Sequence, residues 1–269
     1  MAFAPQHITA EPADFEGNGG AGRHILLPGS PGRAASIAQR FEGATVKPHP
    51  RGHDLHLGTL PVAGGAGGDV DVACIATGMG GPSVEIILTE LLELGARSLL
   101  RVGTAGSLQA RVAVGDIVIA TAAVRDEAAG DDYLPREIPA LASLPMVDRL
   151  RAAAATLGMD DRTHCGPVHS KSTLYAREFG RGPLGAEHEA HKRLLRAGGV
   201  LASEMECATV FVMGMAADQA ARALDPARGV DFGAVLAIIG GADDGFADGE
   251  VVPATIDATI ELALAALVG

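Results

Sequence analysis

Tryptophan is missing from this chain and aromatic residues of all kinds make up only 3% of it, so Ala, Val, Leu and Ile must fill the core. Basic charge is also short. Lys and Arg number 21 against 33 Asp and Glu, a formal net charge of -12. Binding to a nucleic-acid duplex needs a basic face, so nucleic acid is not expected as a partner. Cysteine is confined to Cys74, Cys165 and Cys207, an odd number without C-x-x-C spacing. Two of them lie in apolar stretches, which reads as buried thiols in a reducing compartment. The start, Met1 to His7, shows no basic segment followed by an apolar run. No apolar stretch is read as approaching the roughly 20 residues of a membrane span, so a cytoplasmic protein without a membrane partner is expected. His164-Cys165 alone is not a site, and no metal is expected.

What is present fits one large α/β domain spanning residues 1–269, with 48% hydrophobic and 20% charged residues. Short runs of Val, Ile and Leu alternate with longer amphipathic segments, the pattern of a sheet with flanking helices. Strands are expected at His24–Leu27, Leu55–Val62, Val70–Ala76, Ser98–Val102, Asp116–Thr121 and Ala234–Ile239. Helices are expected at Arg33–Phe41, Ser83–Leu94, Met146–Leu157, Glu187–Ala197, Glu206–Ala217 and Val252–Leu267. Gly64–Asp69 reads as a hairpin loop, whereas Asp218–Asp231 fits either an extension of the preceding helix or an insertion.

The 36 glycines cluster where apolar segments end, as they do where backbone approaches a ligand. Leu27-Pro28-Gly29-Ser30-Pro31-Gly32-Arg33 turns from a strand into a helix, whose first N–H groups favour an anion, and Arg33 adds charge; a plain turn is the alternative. Thr77-Gly78-Met79-Gly80-Gly81-Pro82-Ser83 repeats this arrangement but matches neither G-x-x-x-x-G-K-[ST] nor G-x-G-x-x-G. Leu99 to Ser107 places Arg101 near the end of a buried strand, an expensive position unless a charged partner meets it. That partner is either an internal acid or a ligand, and the adjoining Gly103-Thr104-Ala105-Gly106 turn favours a ligand. In Ser203-Glu204-Met205-Glu206, carboxylates two residues apart point to different sides of regular structure, which argues against a coupled acid pair. One of them entering an apolar helix can accept hydrogen bonds from a vicinal diol or complement the helix dipole. Ile238 to Gly245 ends a buried strand in glycines and two acids. Open α/β sheets place ligands beyond such strand ends, so an Asp there is a catalytic candidate, with helix capping as the alternative.

Taken in order, these segments resemble the nucleoside phosphorylase-I family, which holds hexameric purine nucleoside phosphorylase and uridine phosphorylase. The resemblance rests on Gln6 to Glu11, Pro28-Gly29-x-Pro31-x-Arg33, Arg51-Gly52, Gly78 to Ser83, Arg101 to Gly106 and Glu204-Met205-Glu206. It implies a single α/β domain with a central mixed β-sheet flanked by helices, of phosphorylase/hydrolase-like form. It implies a pentosyltransferase that cleaves nucleosides with inorganic phosphate as co-substrate and no cofactor. Gly29, Arg33, Arg101 and Thr104 would hold phosphate, with Arg51 reaching in from a neighbouring subunit. Glu206 would accept the ribose hydroxyls, Met205 would pack on the sugar, and His7 of the neighbour would bond the 5′-hydroxyl. Leu174 and Glu204 would lie at the base, and Asp243 would protonate a purine leaving group, with Asp244 as its alternate. Shared sites imply a homo-oligomer, a hexamer built as a trimer of dimers.

Base choice divides the signals. Ala123 to Asp126, Tyr133 to Ala140 and Gly80 to Ser83 look more like uridine phosphorylases. The pyrimidine reader of that group, a Gln-x-Arg after an aromatic pair, is replaced after Leu174-Tyr175 by Ala176-Arg177-Glu178-Phe179-Gly180-Arg181, where Arg177 or Arg181 would have to substitute. Purine nucleosides are therefore the expectation, with uridine as the alternative and a hydrolytic nucleosidase behind both. Arg125 and His169 are expected to be structural or solvated.

Overall fold

The structure is a computed structural model that describes residues 3–62, 68–242, 245–247 and 249–268. The apolar runs His24–Pro28 (β1), Val70–Cys74 (β4), Ser98–Ser107 (β5), Ile117–Asp126 (β6) and Asp231–Gly241 (β10) form strands, and their Val, Ile and Leu side chains fill the core. Strands buried on both faces read as near-continuous apolar runs, as β5 and β10 do. They belong to one eleven-stranded mixed sheet with Glu42–Lys47 (β2), Leu55–Leu60 (β3), Ala140–Leu141 (β7), Thr163–Lys171 (β8), Ala202–Glu204 (β9) and Gly245–Phe246 (β11).

The sheet closes on itself. Strand β5 pairs with β10, β10 with β6, β6 with β8, β8 with β9, and β9 returns to the end of β5. Strands β1, β4, β3 and β2 continue outward from β5 as an arm. Helices Pro31–Ala38 (α1), Gly81–Glu93 (α2), Leu144–Thr156 (α3), Leu174–Phe179 (α4), Gly185–Ala197 (α5), Cys207–Leu224 (α6) and Val251–Val268 (α7) surround the sheet. This is the expected mixed sheet flanked by helices.

Several expectations change in detail. Strands β2 and β8 and helix α4 arise where no element was expected, and β5 and β6 run on to Ser107 and Asp126. The ambiguous stretch resolves into both of its parts: α6 extends to Leu224, and a turn fastened by Val230 N–H on Asp218 Oδ1 at 2.8 Å leads into β10. Most of the expected Gly64–Asp69 loop lies outside the described residues, but β3 and β4 pair antiparallel from Leu60 opposite Val70, as a hairpin requires. Cys74 and Cys207 are buried free thiols, whereas Cys165 is exposed, because β8 alternates between core and solvent there. Helix α7 corrects the reading that no apolar stretch approaches a span, since its 18 residues pass by length and composition. In the fold it packs on α3, β5 and β10 and buries Ile260, Leu262, Ala263 and Leu267, the position of a core helix.

Candidate active site

The carboxyl ends of β1, β8, β9 and β10 and the middle of β5 surround a cavity of about 480 Å³. Its wall has three parts, each from a different set of elements.

The first part is cationic. Ser30 caps α1, its Oγ accepting the Arg33 N–H at 3.4 Å, and Pro31 suits the first turn because it lacks the N–H that would go unbonded there. Gly29, Ser30 and Arg33 line the cavity beside Arg101, Thr104 and Gly106 of β5. Arg33 Nη1 donates to the Val102 carbonyl at 3.4 Å, which holds its guanidinium against β5. Burial and the neighbouring Arg101 push the Arg33 guanidinium below its ordinary range, and Glu206 opposes them. Arg101 is only 4% exposed. Burial favours its neutral form, but Glu206 and Glu204 outweigh that and hold its pKa above the ordinary value. Its Nη2 bonds Glu206 Oε2, whereas Nε and Nη1 are buried without a hydrogen-bond acceptor. Gly103 makes room for this side chain. A Cβ there would sit 3.2 Å from the Arg101 guanidinium and 2.7 Å from Leu236 Cδ2.

The second part is the junction of β9 and α6. Glu206 is the N-cap residue of α6, and its Oε1 accepts the Gly80 N–H at 2.7 Å. Gly80 adopts φ 82, a left-handed conformation that admits glycine readily. Met205 and the 84% exposed Met79 add apolar surface at the cavity. Glu204, expected at the base, lines the cavity with a carboxylate already engaged by the protein. Its side chain is buried, its Oε2 accepts the N–H groups of Glu206 at 2.8 Å and Cys207 at 2.9 Å, and Ser170 donates to Oε1. It therefore secures the start of α6 while lining the cavity. Burial and the adjacent Glu206 push its carboxyl upward. The two carboxylates also converge on Arg101, with Glu204 Oε2 3.7 Å from Arg101 Nε. The two side chains do not alternate in side, because the chain leaves its strand and starts a helix between them.

The third part was largely missed in the sequence. Leu174 lies here as expected, together with Lys171 from the end of β8, Glu178 and Phe179 from α4, and Lys192 and Arg196 from α5. Lys171 Nζ stands 2.9 Å from Glu178 Oε2 and donates to Ser203 Oγ at 2.7 Å. Lys192 Nζ donates to the Glu178 carbonyl at 2.9 Å and stands 3.4 Å from Glu178 Oε1. Burial raises the Glu178 carboxyl, but the two ammonium groups outweigh it and hold the pKa below the usual range. Arg196 donates to the carbonyl of Ala242 at the end of β10. Asp243 and Asp244 follow directly, and both lie outside the described residues. No signal in the sequence marks the lysines, because each sits on a separate polar segment.

The family model described as the phosphorylase superfamily matches residues 23–267. The chain belongs to that superfamily. It is 36% identical to the uridine phosphorylase of Treponema pallidum over 87% of this chain and 81% of the relative. It is 33% identical to the uridine phosphorylase of Thermococcus kodakarensis over 77% and 70%, respectively. A guanosine phosphorylase of Halorubrum lacusprofundi is 30% identical over 79% of this chain and 78% of its own. The expected family and the expected enzyme class, a pentosyltransferase, both hold.

Two expected residues of this phosphorylase do not line the cavity of their own chain. Arg51 is exposed, within the turn closed by Gly52 N–H on the His49 carbonyl. His7 is held by Glu90, with Nδ1 2.8 Å from Oε1, while the N–H groups of Gln6, His7 and Ile8 also bond that carboxylate. Arg125 is structural, as expected. It donates to the carbonyls of Pro135, Ile138, Gly130 and Leu134 and so shapes the loop after β6. His169 bonds Ser203 Oγ at 3.0 Å and Asp126 Oδ2 at 2.9 Å. Among the described residues, Asp126, His169 and His191 bring possible metal-ligand atoms within 4.8 Å of one another. The Arg177 guanidinium already occupies the Asp126 carboxylate, so that group is built as an ion pair and does not suit a dication.

Proposed function

We propose that the protein is a nucleoside phosphorylase that splits uridine with inorganic phosphate to give uracil and ribose 1-phosphate. The observation that carries this reading is the pair Arg33 and Arg101 lining a single cavity, with Glu206 beside them and two Arg101 nitrogens buried without hydrogen-bond acceptors. Buried donors are expensive unless something accepts from them, and an oxyanion is the natural acceptor for a guanidinium edge. Uridine takes the place of the purine nucleosides expected from the sequence, because relatives over most of the chain are uridine phosphorylases.

In this reading phosphate rests on Gly29, Arg33, Arg101 and Thr104. Glu206 accepts from the ribose hydroxyls, using the second lone pairs of oxygens that already bond Gly80 and Arg101. Met205 covers the sugar. A phosphate oxygen attacks C1′ from the face opposite the base, and the electron pair of the C1′–N1 bond leaves with uracil. The phosphate dianion stabilises the sugar cation that develops beside it. Arg51 and His7 belong to the site of a neighbouring subunit, which makes the protein a homo-oligomer, a hexamer of three dimers, working in the cytoplasm.

Incubation with uridine, inosine, guanosine and adenosine, each with and without phosphate, tests the proposal. The expected result is ribose 1-phosphate from uridine in the presence of phosphate alone. Free ribose in phosphate-free buffer would overturn phosphorolysis. Faster cleavage of inosine than of uridine would overturn the choice of base.

A further inference from the structure

The third part of the cavity wall, from β8, α4 and α5, is charged but compensated. Its centre is the Glu178 carboxylate, with the Lys171 and Lys192 ammonium groups 2.9 Å and 3.4 Å from its two oxygens. Lys171 is 2% exposed and is further fixed by Ser203. Lys192 is held by the Glu178 backbone carbonyl and lies 3.6 Å from Glu189 Oε2. These contacts fix an acceptor between donors in a wall that a ligand must meet. Phosphate and ribose account for the other two parts of the wall, so the base is left to this one; this step rests on the phosphorolytic reading above.

We propose that Glu178, positioned by Lys171 and Lys192, reads the base by accepting its ring N–H while the Lys192 ammonium donates to the adjacent ring carbonyl. Uracil presents that edge at N3–H and its flanking carbonyls, and 6-oxopurines present it at N1–H and O6. Cytosine and adenine carry a lone pair where the N–H would be, facing a carboxylate. A site built to accept an N–H rejects the analogue lacking it strongly, because the acceptor is then left unpaired against another acceptor. The same ammonium groups face the carbonyl oxygens onto which the negative charge of a departing uracil spreads. Base recognition here then depends on a full negative charge held between cations.

Uridine and cytidine have almost the same shape, so their kcat/KM ratio isolates this contact. The wild-type enzyme should favour uridine by about 100-fold or more. In Glu178→Gln the amide can turn to offer either an N–H or a carbonyl. Uridine turnover should fall about 10- to 100-fold while cytidine turnover rises or holds, collapsing the ratio. A role confined to holding α4 would lower both substrates together and leave the ratio intact, which would overturn the proposal. Wild-type enzyme that prefers cytidine would overturn it without any variant. If no nucleoside is split with phosphate, the phosphorolytic reading fails, and calorimetric binding of free uracil and cytosine to the wild type and Glu178→Gln decides base reading separately: tighter uracil binding that vanishes in the variant supports it, and equal binding refutes it.

Discussion

Replacing Arg101 by lysine tests the phosphate site most directly. The change keeps the positive charge between Glu204 and Glu206 but removes the planar fork. At present Nη2 serves Glu206, while Nε and Nη1 are buried without acceptors. An ammonium directed at Glu206 cannot also present the spread donors of a guanidinium, so a contact to the anion is lost. Loss of one charge-assisted hydrogen bond costs about 1.5–3 kcal/mol, or roughly 10- to 150-fold in kcat/KM for phosphate. Alanine would be a poorer probe. It would leave two buried carboxylates without their cation, a change that costs about 3–5 kcal/mol and confuses folding with function. The assay is initial-rate formation of ribose 1-phosphate from uridine across a phosphate series, with thermal melting alongside. An Arg101→Lys enzyme that melts like the wild type and uses phosphate equally well would refute the placement of the anion.

Other outcomes follow from the same geometry. Gly103→Ala would push a methyl group into Leu236 and the Arg101 guanidinium, so it should cost about 1–3 kcal/mol in a denaturant melt and weaken phosphate use; unchanged values for both would show that the strand yields freely. If neighbouring chains share sites, Arg51→Ala and Arg33→Ala proteins, each impaired, should recover activity when unfolded and refolded together, because one site of each mixed dimer then carries both arginines; no recovery would place Arg51 outside the site. His169 is held near a pKa of about 3 by burial, with Lys171 and His191 adding to the shift, while Arg177 neutralises the Asp126 carboxylate beside it. The unfolded chain takes up a proton there below about pH 6.5 and the folded chain does not, so stability should fall with falling pH by up to about 2 kcal/mol between pH 6.5 and 5. Unfolding free energies of the wild type and His169→Gln at the two pH values measure this, and equal slopes would refute it.

The sequence revealed most where a local rule also governs the tertiary structure. Arg101 stood out because a guanidinium inside an apolar strand demands a partner, and the two turns into α1 and α2 stood out through glycine and proline. Strand β8 was hidden. Thr163–Lys171 contains Cys165, Gly166 and Pro167 and has weak strand propensity, and it forms because β6 supplies a parallel partner with a register shift near Pro167. Glu204 was misjudged because alternation of sides holds within a strand and not across its junction with a helix. Glu178 stood in a segment singled out for base choice but was passed over in favour of Arg177 or Arg181, whereas Lys171, Lys192 and Arg196 left no mark because separate elements bring them together.

The parts of the cavity wall are anchored very differently. Arg101 projects from a strand inside the closed ring, where any change disturbs neighbours on every side. Helix α4 buries none of its residues and α5 buries only Leu195. Substitutions on these two helices are therefore cheap, and a lineage carrying this fold can revise which base it accepts while the bond-breaking apparatus stays untouched. Exchanging residues 174–197 between phosphorylases of different preference should carry the preference along and spare the chemistry.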